Sequence, residues 1–208
     1  MGTRIITISR QCGSGGHEIG ELVAKRLGMK FYDKELVKAV AERSGFSEEI
    51  IESKGEAATQ GFFFNIGENR GGSVSAADRS SMPLSDQINA YQAEFIRELA
   101  DRERCVIVGR CANYVLRKRQ DCLHVYIYGS LEDRVARVMR THGVQEETAR
   151  SHIVERDKKR AKYYKYQTNR VWGQAENYNL CLDVSRLGLE QCVEILAAIC
   201  GGDDAVNN

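Results

Sequence analysis

The sequence predicts an α/β domain in which helices flank a five-stranded parallel sheet. Short apolar runs recur along the chain, and helical patterns separate them. Apolar runs of this continuity are typical of strands that are buried on both faces, as in parallel sheets. A glycine-rich segment directly after the first run is a third indication. The chain has 208 residues, which is enough for one such domain with an inserted subdomain.

Five apolar runs are predicted as strands. The first, residues 5–8, is β-branched and meets the glycine-rich segment at once. The longest is residues 123–128, and the short second run ends before Asp33. The complete set is residues 5–8, 30–32, 106–108, 123–128 and 180–184.

Helical spacing of apolar residues predicts the elements between the strands. The clearest case is residues 85–104, where Ile88, Phe95 and Leu99 lie on one stripe. The predicted helices are residues 18–27, 34–43, 85–104, 131–140, 146–164 and 189–199. Two segments break the alternation, residues 55–84 and 201–208. The first, long and rich in glycine, predicts a mobile functional loop or a poorly ordered one, and the second predicts a disordered tail.

Composition excludes several classes of protein. The 30 Lys and Arg residues nearly cancel the 29 Asp and Glu residues, so the overall charge favours neither nucleic acid nor a membrane as partner. The seven cysteines are odd in number and include no Cys-x-x-Cys pair, which argues against a disulfide framework and a zinc site. Free cysteines favour a reducing compartment. No apolar run suits a signal peptide or a membrane span, so the predicted location is the cytoplasm.

Residues 9–18 join the first strand to the first helix. Three glycines there, Gly13, Gly15 and Gly16, let backbone N–H groups converge on a point that the helix dipole also favours for an anion. The segment predicts phosphate binding, and a tight turn without a ligand is the alternative. With Gly15 aligned to the second glycine of the Walker A motif, Gly16 takes the lysine position and His17 the Ser/Thr position. The lysine is therefore missing.

Residues 131–170 concentrate arginines on two predicted helices that meet near Gly143. Arginines three or four residues apart, such as Arg156 and Arg160, share one helix face. Guanidinium groups aimed at one point bind phosphate and neutralise the charge of phosphoryl transfer. Two alternatives stay open: a solvated pair of charged helices with surface ion pairs, and a nucleic-acid surface on which nearby tyrosines stack with bases.

These segments together resemble the cytidylate kinases, and within them a divergent cytidylate kinase-like branch. The run Val106-Ile107-Val108-Gly109-Arg110 resembles the strand and arginine with which cytidylate kinases hold the acceptor monophosphate. Residues 153–160, Ile-Val-Glu-Arg-Asp-Lys-Lys-Arg, resemble their lid, and residues 182–187 are similar to their final strand. The similarity follows the order of the family along nearly the whole chain.

The resemblance implies a three-layer P-loop NTPase fold with an inserted domain that binds the nucleoside monophosphate (NMP) and a helical lid. Residues 1–33 and 105–200 would form the kinase core. The lid would be about residues 137–170 within that core, and residues 34–104 would form the acceptor-binding insert.

The resemblance also implies a role for each matched site residue. The donor phosphates would lie against the loop residues, namely Gly13, Ser14, Gly15, Gly16, His17 and Glu18. Arg110 would hold the acceptor, with Asp33 beside it or orienting magnesium through water. The residues expected to carry catalysis are Arg10, Arg140, Arg156 and Arg160. Arg10 is the better candidate to replace the missing lysine because its charge is permanent, and no residue is assigned as a direct metal ligand.

The implied activity is phosphoryl transfer from ATP, with Mg²⁺, to a nucleoside monophosphate, foremost CMP or dCMP. One alternative is a nucleotide-binding regulatory protein with weak or no turnover, which the missing lysine favours. The other is a kinase of the same scaffold for a different small acceptor, either a phosphorylated compound or one that offers a hydroxyl group. The expected partners are small-molecule nucleotides, without nucleic acid or membrane, and a homo-oligomer is compatible with the sequence.

Overall fold

The computed structural model describes residues 2–55 and 82–201. It contains five strands, β1 Ile5–Arg10, β2 Lys30–Tyr32, β3 Cys105–Val108, β4 Cys122–Tyr128 and β5 Leu180–Asp183. They form one parallel sheet in the order β2-β3-β1-β4-β5. The predicted parallel sheet is confirmed.

Helices connect and cover the strands. Within the described ranges they are α1 Gly16–Arg26, α2 Lys34–Ser44, α3 Glu48–Gly55, α4 Leu84–Arg102, α5 Ala112–Val115, α6 Leu131–His142, α7 Glu146–Thr168, α8 Val184–Leu187 and α9 Leu189–Gly201, with a 3-10 turn at Ala175–Asn177. All six predicted helices are present, and α3, α5 and α8 are additional. None of the helices described is both long and apolar enough to cross a lipid bilayer.

Several predicted boundaries differ from the structure, including both ends of the predicted loop at residues 55–84, because Gly55 ends α3 and Leu84 begins α4. Residue Val184, predicted as strand, begins α8 because the Asp183 carboxylate accepts a hydrogen bond from the Ser185 N–H at 3.0 Å and caps that helix. Gly201, predicted as part of the disordered tail, is the last residue of α9. Residues 56–81 of the predicted loop and 202–208 of the predicted tail lie outside the described residues.

The sheet separates two apolar cores. Because side chains alternate along a strand, Ile6 and Ile8 of β1 pack in one core, which α1 and α9 cover. Ile5 belongs to the other core, to which α2, α3 and α4 contribute. The phosphate-loop helix and the helices of the predicted acceptor insert therefore lie on opposite faces of the sheet.

The carboxyl ends of all five strands meet at one edge of the sheet, because the strands are parallel. The chain leaves β1 for β2 on one side, and it later passes over β1 to reach β4 on the other side. Such a switch in direction opens a crevice at the carboxyl ends of the central strands, where ligands bind in open α/β sheets. The glycine-rich loop begins at the end of β1, inside this crevice.

His124 of β4 makes the stability of this core depend on pH. Its Nδ1 lies 2.8 Å from the Thr7 hydroxyl, and burial lowers its pKa from about 6.5 to about 4. The unfolded chain binds a proton at His124 between these values and the folded chain does not, so stability is full above pH 6.5 and falls as the pH drops toward 4. Because of His124, we expect the free energy of unfolding to be about 2 kcal/mol lower at pH 5 than at pH 7.

Urea unfolding at the two pH values measures this loss. In a His124→Asn variant, the difference in unfolding free energy between pH 7 and pH 5 should be smaller by about 2 kcal/mol, whatever the absolute stability of the variant. An unchanged pH dependence in the variant would show that other groups cause the loss.

Candidate active site

The glycine-rich loop has the backbone shape of an anion-binding site. Gly13 and Gly15 both adopt a left-handed φ of 79°, which side chains other than glycine rarely tolerate. Gly15 is the N-cap of α1, so the first amide groups of the helix have no partner within it. Backbone N–H groups and the positive end of the α1 dipole therefore face one point, as phosphate binding requires.

The Ser14 hydroxyl fixes the loop instead of facing a ligand. Ser14 is fully buried and donates to the backbone oxygens of Gln11 at 2.9 Å and Ile127 at 3.3 Å. The second of these bonds ties the loop to the end of β4. The Ser14 backbone N–H also donates to the Gln11 oxygen, at 3.3 Å, so the contact between Ser14 and the donor stays a prediction.

Arg10 fills the space in which a Walker A lysine would begin. A Cβ atom added at Gly16, the lysine position, would lie 2.5 Å from the Cβ and 2.9 Å from the Cγ of Arg10. The guanidinium of Arg10 continues toward Gly109 at the end of β3, where an added Cβ would collide with Nη1. Arg10 and a lysine at position 16 thus exclude each other, and glycines at 16 and 109 leave room for the arginine.

Asp33 connects the two sides of the site. Its carboxylate lies 2.6 Å from the Nδ1 of His17 and 3.9 Å from a guanidinium nitrogen of Arg10. His17 belongs to the predicted donor site, whereas Asp33 belongs to the predicted acceptor site. The structure therefore brings these three predicted residues together at the start of α1.

Asp157 of α7 clamps the loop from the lid side. One carboxylate oxygen accepts from the backbone N–H of Cys12 at 2.7 Å, and the other accepts from Arg134 at 2.6 Å. Arg134 is buried and also donates to the backbone oxygens of Cys12 and Gly129, at 3.1 Å each. The Asp of the lid's Arg-Asp pair thus has a structural role in this conformation, since it holds the loop to α6 and α7.

An Asp157→Ala variant is expected to lose about 3 kcal/mol of unfolding free energy, because it leaves a buried arginine and a loop amide without their acceptor. The matched control is Glu155→Ala, which removes an exposed pair with Lys159 on the same helix and should leave the unfolding free energy nearly unchanged. Urea unfolding of both variants provides the comparison. Equal losses would show that the clamp contributes nothing beyond a surface ion pair.

The four predicted catalytic arginines separate into two groups. Arg10 and Arg160 lie at the crevice, where Arg160 donates to the backbone oxygen of Arg10 at 3.1 Å. Arg140 and Arg156 are exposed on α6 and α7. The structure thus brings two of the four together, and the catalytic roles of all four stay predictions.

Arg137 is a loop contact that the predicted site did not include. Its guanidinium lies over Gly15, with Cζ 3.0 Å from the position of an added Cβ, and it pairs with Glu18. Arg137 lies three residues before Arg140, a spacing that puts both on one helix face, but the sequence pattern does not show which way that face points. Val135 and Val138 pack against Ala149 and Ile153, which turns Arg137 toward the loop.

Arg110 stands at the end of β3 on a bent backbone. Arg110 and Cys111 both have a φ of 52°, a conformation that is rare outside glycine. Strained backbone of this kind is found most often at ligand-binding and active sites. The Nη1 atom of Arg110 is buried and has no hydrogen-bond partner within the described residues. A buried guanidinium nitrogen without a partner is a donor that an anionic ligand could satisfy.

One surface depression at the carboxyl ends of β1 and β3 is lined by Arg10, Arg110 and Arg160. Its lining within the described residues is Ser9, Arg10, Gly109, Arg110, Cys111, Arg160, Tyr163, Tyr164 and Trp172. Three of these side chains are arginines and none is a carboxylate. The electrostatic character of the depression therefore suits a multiply charged anion.

The fold implies Mg²⁺ together with ATP, and the loop fits a magnesium ion held mainly by phosphate and water. No group of three metal-ligating side chains occurs in the parts of the chain described. The hydroxyl of Ser14 is already bonded, and His17 stands where the usual hydroxyl ligand would be. Asp33 and Glu18 supply carboxylates next to the loop, and Mg²⁺ commonly takes only one or two carboxylates beside substrate phosphates.

Similarity to known proteins identifies the fold and the family of this chain. A search of curated proteins finds no match. Among solved structures, an uncharacterized protein from Eubacterium ventriosum superposes with a TM-score of 0.70 at 25% identity, covering 95% of this chain and 98% of that chain.

Two further structures share the fold at lower identity. Shikimate kinase from Bacteroides thetaiotaomicron has a TM-score of 0.52 at 15% identity, with 93% of this chain and 96% of that chain covered. A sugar kinase from Janibacter has a TM-score of 0.52 at 18% identity, with 99% of both chains covered. These similarities confirm the predicted three-layer P-loop fold.

A family model described as the cytidylate kinase-like family matches residues 5–186. The match begins at β1 and ends in α8, so it includes the loop, Arg110 and helices α6 and α7 of the predicted lid. Fold and family together support a phosphotransferase that acts on a nucleotide or another small substrate. The chain belongs to the cytidylate kinase-like family.

Proposed function

We propose that this protein transfers the γ-phosphoryl group of ATP to a nucleoside monophosphate, with CMP or dCMP as the first acceptors to test. One observation carries the proposal: Arg10, Arg110 and Arg160 line a single depression next to a phosphate-type loop. Phosphoryl transfer depends mainly on positioning and on neutralising charge, and three arginines around one point provide both.

The charge of the depression favours a phosphate as the attacking group. A phosphate oxygen is already anionic and needs no general base, whereas a hydroxyl acceptor must lose a proton when it is phosphorylated. The lining of the depression contains no carboxylate among the described residues that could take such a proton. Asp33 lies nearby, but it pairs with His17 and Arg10.

The donor would bind at the loop. The N–H groups at the start of α1 would hold its phosphate oxygens, and Arg137, which lies over Gly15, would add a positive charge on the outer side. Mg²⁺, when bound, supplies a further positive charge on the donor phosphates. The phosphates would then reach the depression from the loop side, while Arg110 would hold the acceptor from the β3 side.

In the transfer step, an oxygen of the acceptor phosphate forms a bond to the γ-phosphorus of ATP. The bond between that phosphorus and the oxygen bridging to the β-phosphate breaks, and ADP leaves. Arg10 would stabilise the charge that develops on the transferred group and the leaving phosphate, in place of the lysine. Arg160 donates to the Arg10 backbone, so it both positions Arg10 and adds charge to the depression.

Two observations favour other functions. The missing lysine favours a nucleotide-binding regulatory protein that turns over slowly or not at all. The fold shared with shikimate kinase and a sugar kinase is compatible with a kinase for a different small acceptor. Arg10 in the lysine space argues against the first of these functions, and the absence of a base from the lining argues against a hydroxyl acceptor.

Coupled ADP release with CMP, dCMP, UMP, AMP and GMP separates these functions, with shikimate and gluconate as hydroxyl acceptors. We expect turnover of at least one monophosphate well above the rate of ATP hydrolysis without acceptor. ATP binding without turnover of any acceptor would indicate the regulatory protein. Turnover of a hydroxyl acceptor alone would overturn the proposal in favour of the other kinase.

A further inference from the structure

A second depression adjoins the arginine-lined one and shares Arg110, Cys111 and Tyr163 with it. It lies between α4 and α7, the helices that supply its polar groups. The two depressions thus form one cleft with Arg110 at the junction. A ligand whose anionic end met Arg110 from the first depression could extend into the second.

Side-chain amides line the inner part of this second depression. Asn89 and Gln92 come from one face of α4, three residues apart, and Gln167 comes from the end of α7. Their relative exposures are 3%, 1% and 6%, so all three are buried. Buried glutamine and asparagine are uncommon on helix faces that pack into a core, where the neighbouring positions Ile88 and Ile96 are apolar.

Most polar atoms of these amides have no partner within the described residues. Both the nitrogen and the oxygen of the Gln92 amide lack one, as do the amide nitrogens of Asn89 and Gln167. The Asn89 oxygen accepts a hydrogen bond from the Tyr163 hydroxyl at 2.9 Å. Unpaired polar atoms in a buried position destabilise a fold, so a cluster of them is explained when a ligand completes their hydrogen bonds.

The remaining walls of this depression define the occupant. Tyr114 and Tyr163 contribute aromatic surface, while Ala93 and Val115 contribute apolar surface. No carboxylate or lysine lines it within the described residues, and Arg110 is its one lining arginine there. An uncharged, flat ring that carries both donors and acceptors on its edge matches such walls, because amides pair with amide-like edges and tyrosines pack on ring faces.

We propose that Asn89, Gln92 and Gln167 bind the nucleobase of the acceptor while Arg110 holds its phosphate. This inference rests on the proposed function, since it takes the acceptor to be a nucleoside monophosphate. The three amides are then the residues that determine acceptor specificity. They select for a base and against acceptors that carry a carboxylate or a bare sugar in its place.

The experiment compares a ligand with a base and a ligand without one. Dissociation constants for CMP, UMP, AMP, GMP and ribose 5-phosphate are measured by titration calorimetry on the wild type and on Gln92→Leu. At least one monophosphate should bind the wild type about tenfold more tightly than ribose 5-phosphate does. Gln92→Leu should remove most of that advantage and leave the affinity for ribose 5-phosphate unchanged.

Thermal unfolding without ligand distinguishes an amide that binds a ligand from an amide that only stabilises the fold. Because Gln92 has no partner in the described fold, Gln92→Leu should keep or raise the melting temperature. Gln87→Leu is the matched control on α4, since Gln87 donates to the Met82 backbone oxygen at 2.9 Å and lies outside the lining of the second depression. It should lower the melting temperature and leave the preference for a base intact.

Three results would overturn the inference. The wild type could bind ribose 5-phosphate as tightly as every monophosphate. Gln92→Leu could weaken both kinds of ligand equally, or it could lower the melting temperature as the control does. Base-dependent binding that Gln92→Leu abolishes, combined with no ADP release from any monophosphate, would support the base site while removing the kinase proposal.

Discussion

An Arg10→Gly variant is expected to lower kcat by about 100- to 1,000-fold, which is the range for removing one preorganised charge from a transition state. The physical reason is the position of the side chain, which fills the start of the lysine space and reaches across to Gly109. The measurement is ADP release at saturating ATP and acceptor. Arg150→Ala is the matched control, because it removes an arginine from an exposed pair with Glu146. An unchanged kcat in Arg10→Gly would remove Arg10 from the mechanism.

Restoring the lysine tests the same idea from the other direction. Gly16→Lys alone should lower turnover, because its Cβ would lie 2.5 Å from the Cβ of Arg10 and the loop would have to shift. In the double variant Arg10→Gly, Gly16→Lys that contact is gone, and the lysine can supply the missing charge. We expect the double variant to turn over at least about tenfold faster than Arg10→Gly. Full activity of Gly16→Lys with Arg10 still present would show that the two residues do not compete.

An Arg110→Ala variant is expected to lower kcat/KM for the acceptor by about 100-fold or more, while the KM for ATP stays within about twofold. Its Nη1 atom is buried without a partner in the described fold, so its loss should not lower thermal stability. Steady-state kinetics in both substrates, with thermal unfolding in parallel, measure this. Arg110→Lys should recover only part of the loss, since an ammonium lacks the planar fork. A rise in the KM for ATP instead would place Arg110 on the donor side.

The sheet and most helices could be predicted because local patterns determine them. Continuous apolar runs produced five strands, and apolar spacing of three and four residues produced the major helices. The boundary at Val184 failed because a single side-chain cap from Asp183 decides it. Such a cap competes with β-propensity over one residue, and no periodic pattern reports it.

The site was predictable only as far as its motifs are local. The loop residues and Arg110 follow strands, so their place at the crevice came from topology alone. The clamp between Asp157 and Cys12 joins residues 145 positions apart, and nothing in either neighbourhood indicates the contact. The surface-pair alternative holds for part of the lid, where Glu146 pairs with Arg150 and Glu155 with Lys159. The predicted homo-oligomer and cytoplasmic location stay predictions.

The buried amides Asn89, Gln92 and Gln167 could not be predicted from the sequence, for a different reason. Asn89 and Gln92 sit on a helix whose apolar stripe is otherwise regular, and a sequence pattern cannot tell a buried amide from an exposed one beside the stripe. Only the packing of α4 against α7, with Tyr163 on Asn89 and Tyr166 on Asp86, turns those amides inward.

The two cores on opposite faces of the sheet have an evolutionary consequence. Helix α1, which follows the loop predicted to bind the donor, packs with α9 on one face, whereas α2, α3 and α4 of the predicted acceptor insert pack on the other. Substitutions that remodel the acceptor helices can therefore accumulate without disturbing the packing beneath the loop. Proteins that evolve on this scaffold can therefore change the predicted acceptor site while they keep the predicted donor site. Laboratory libraries confined to α2 and α4 should have the same freedom.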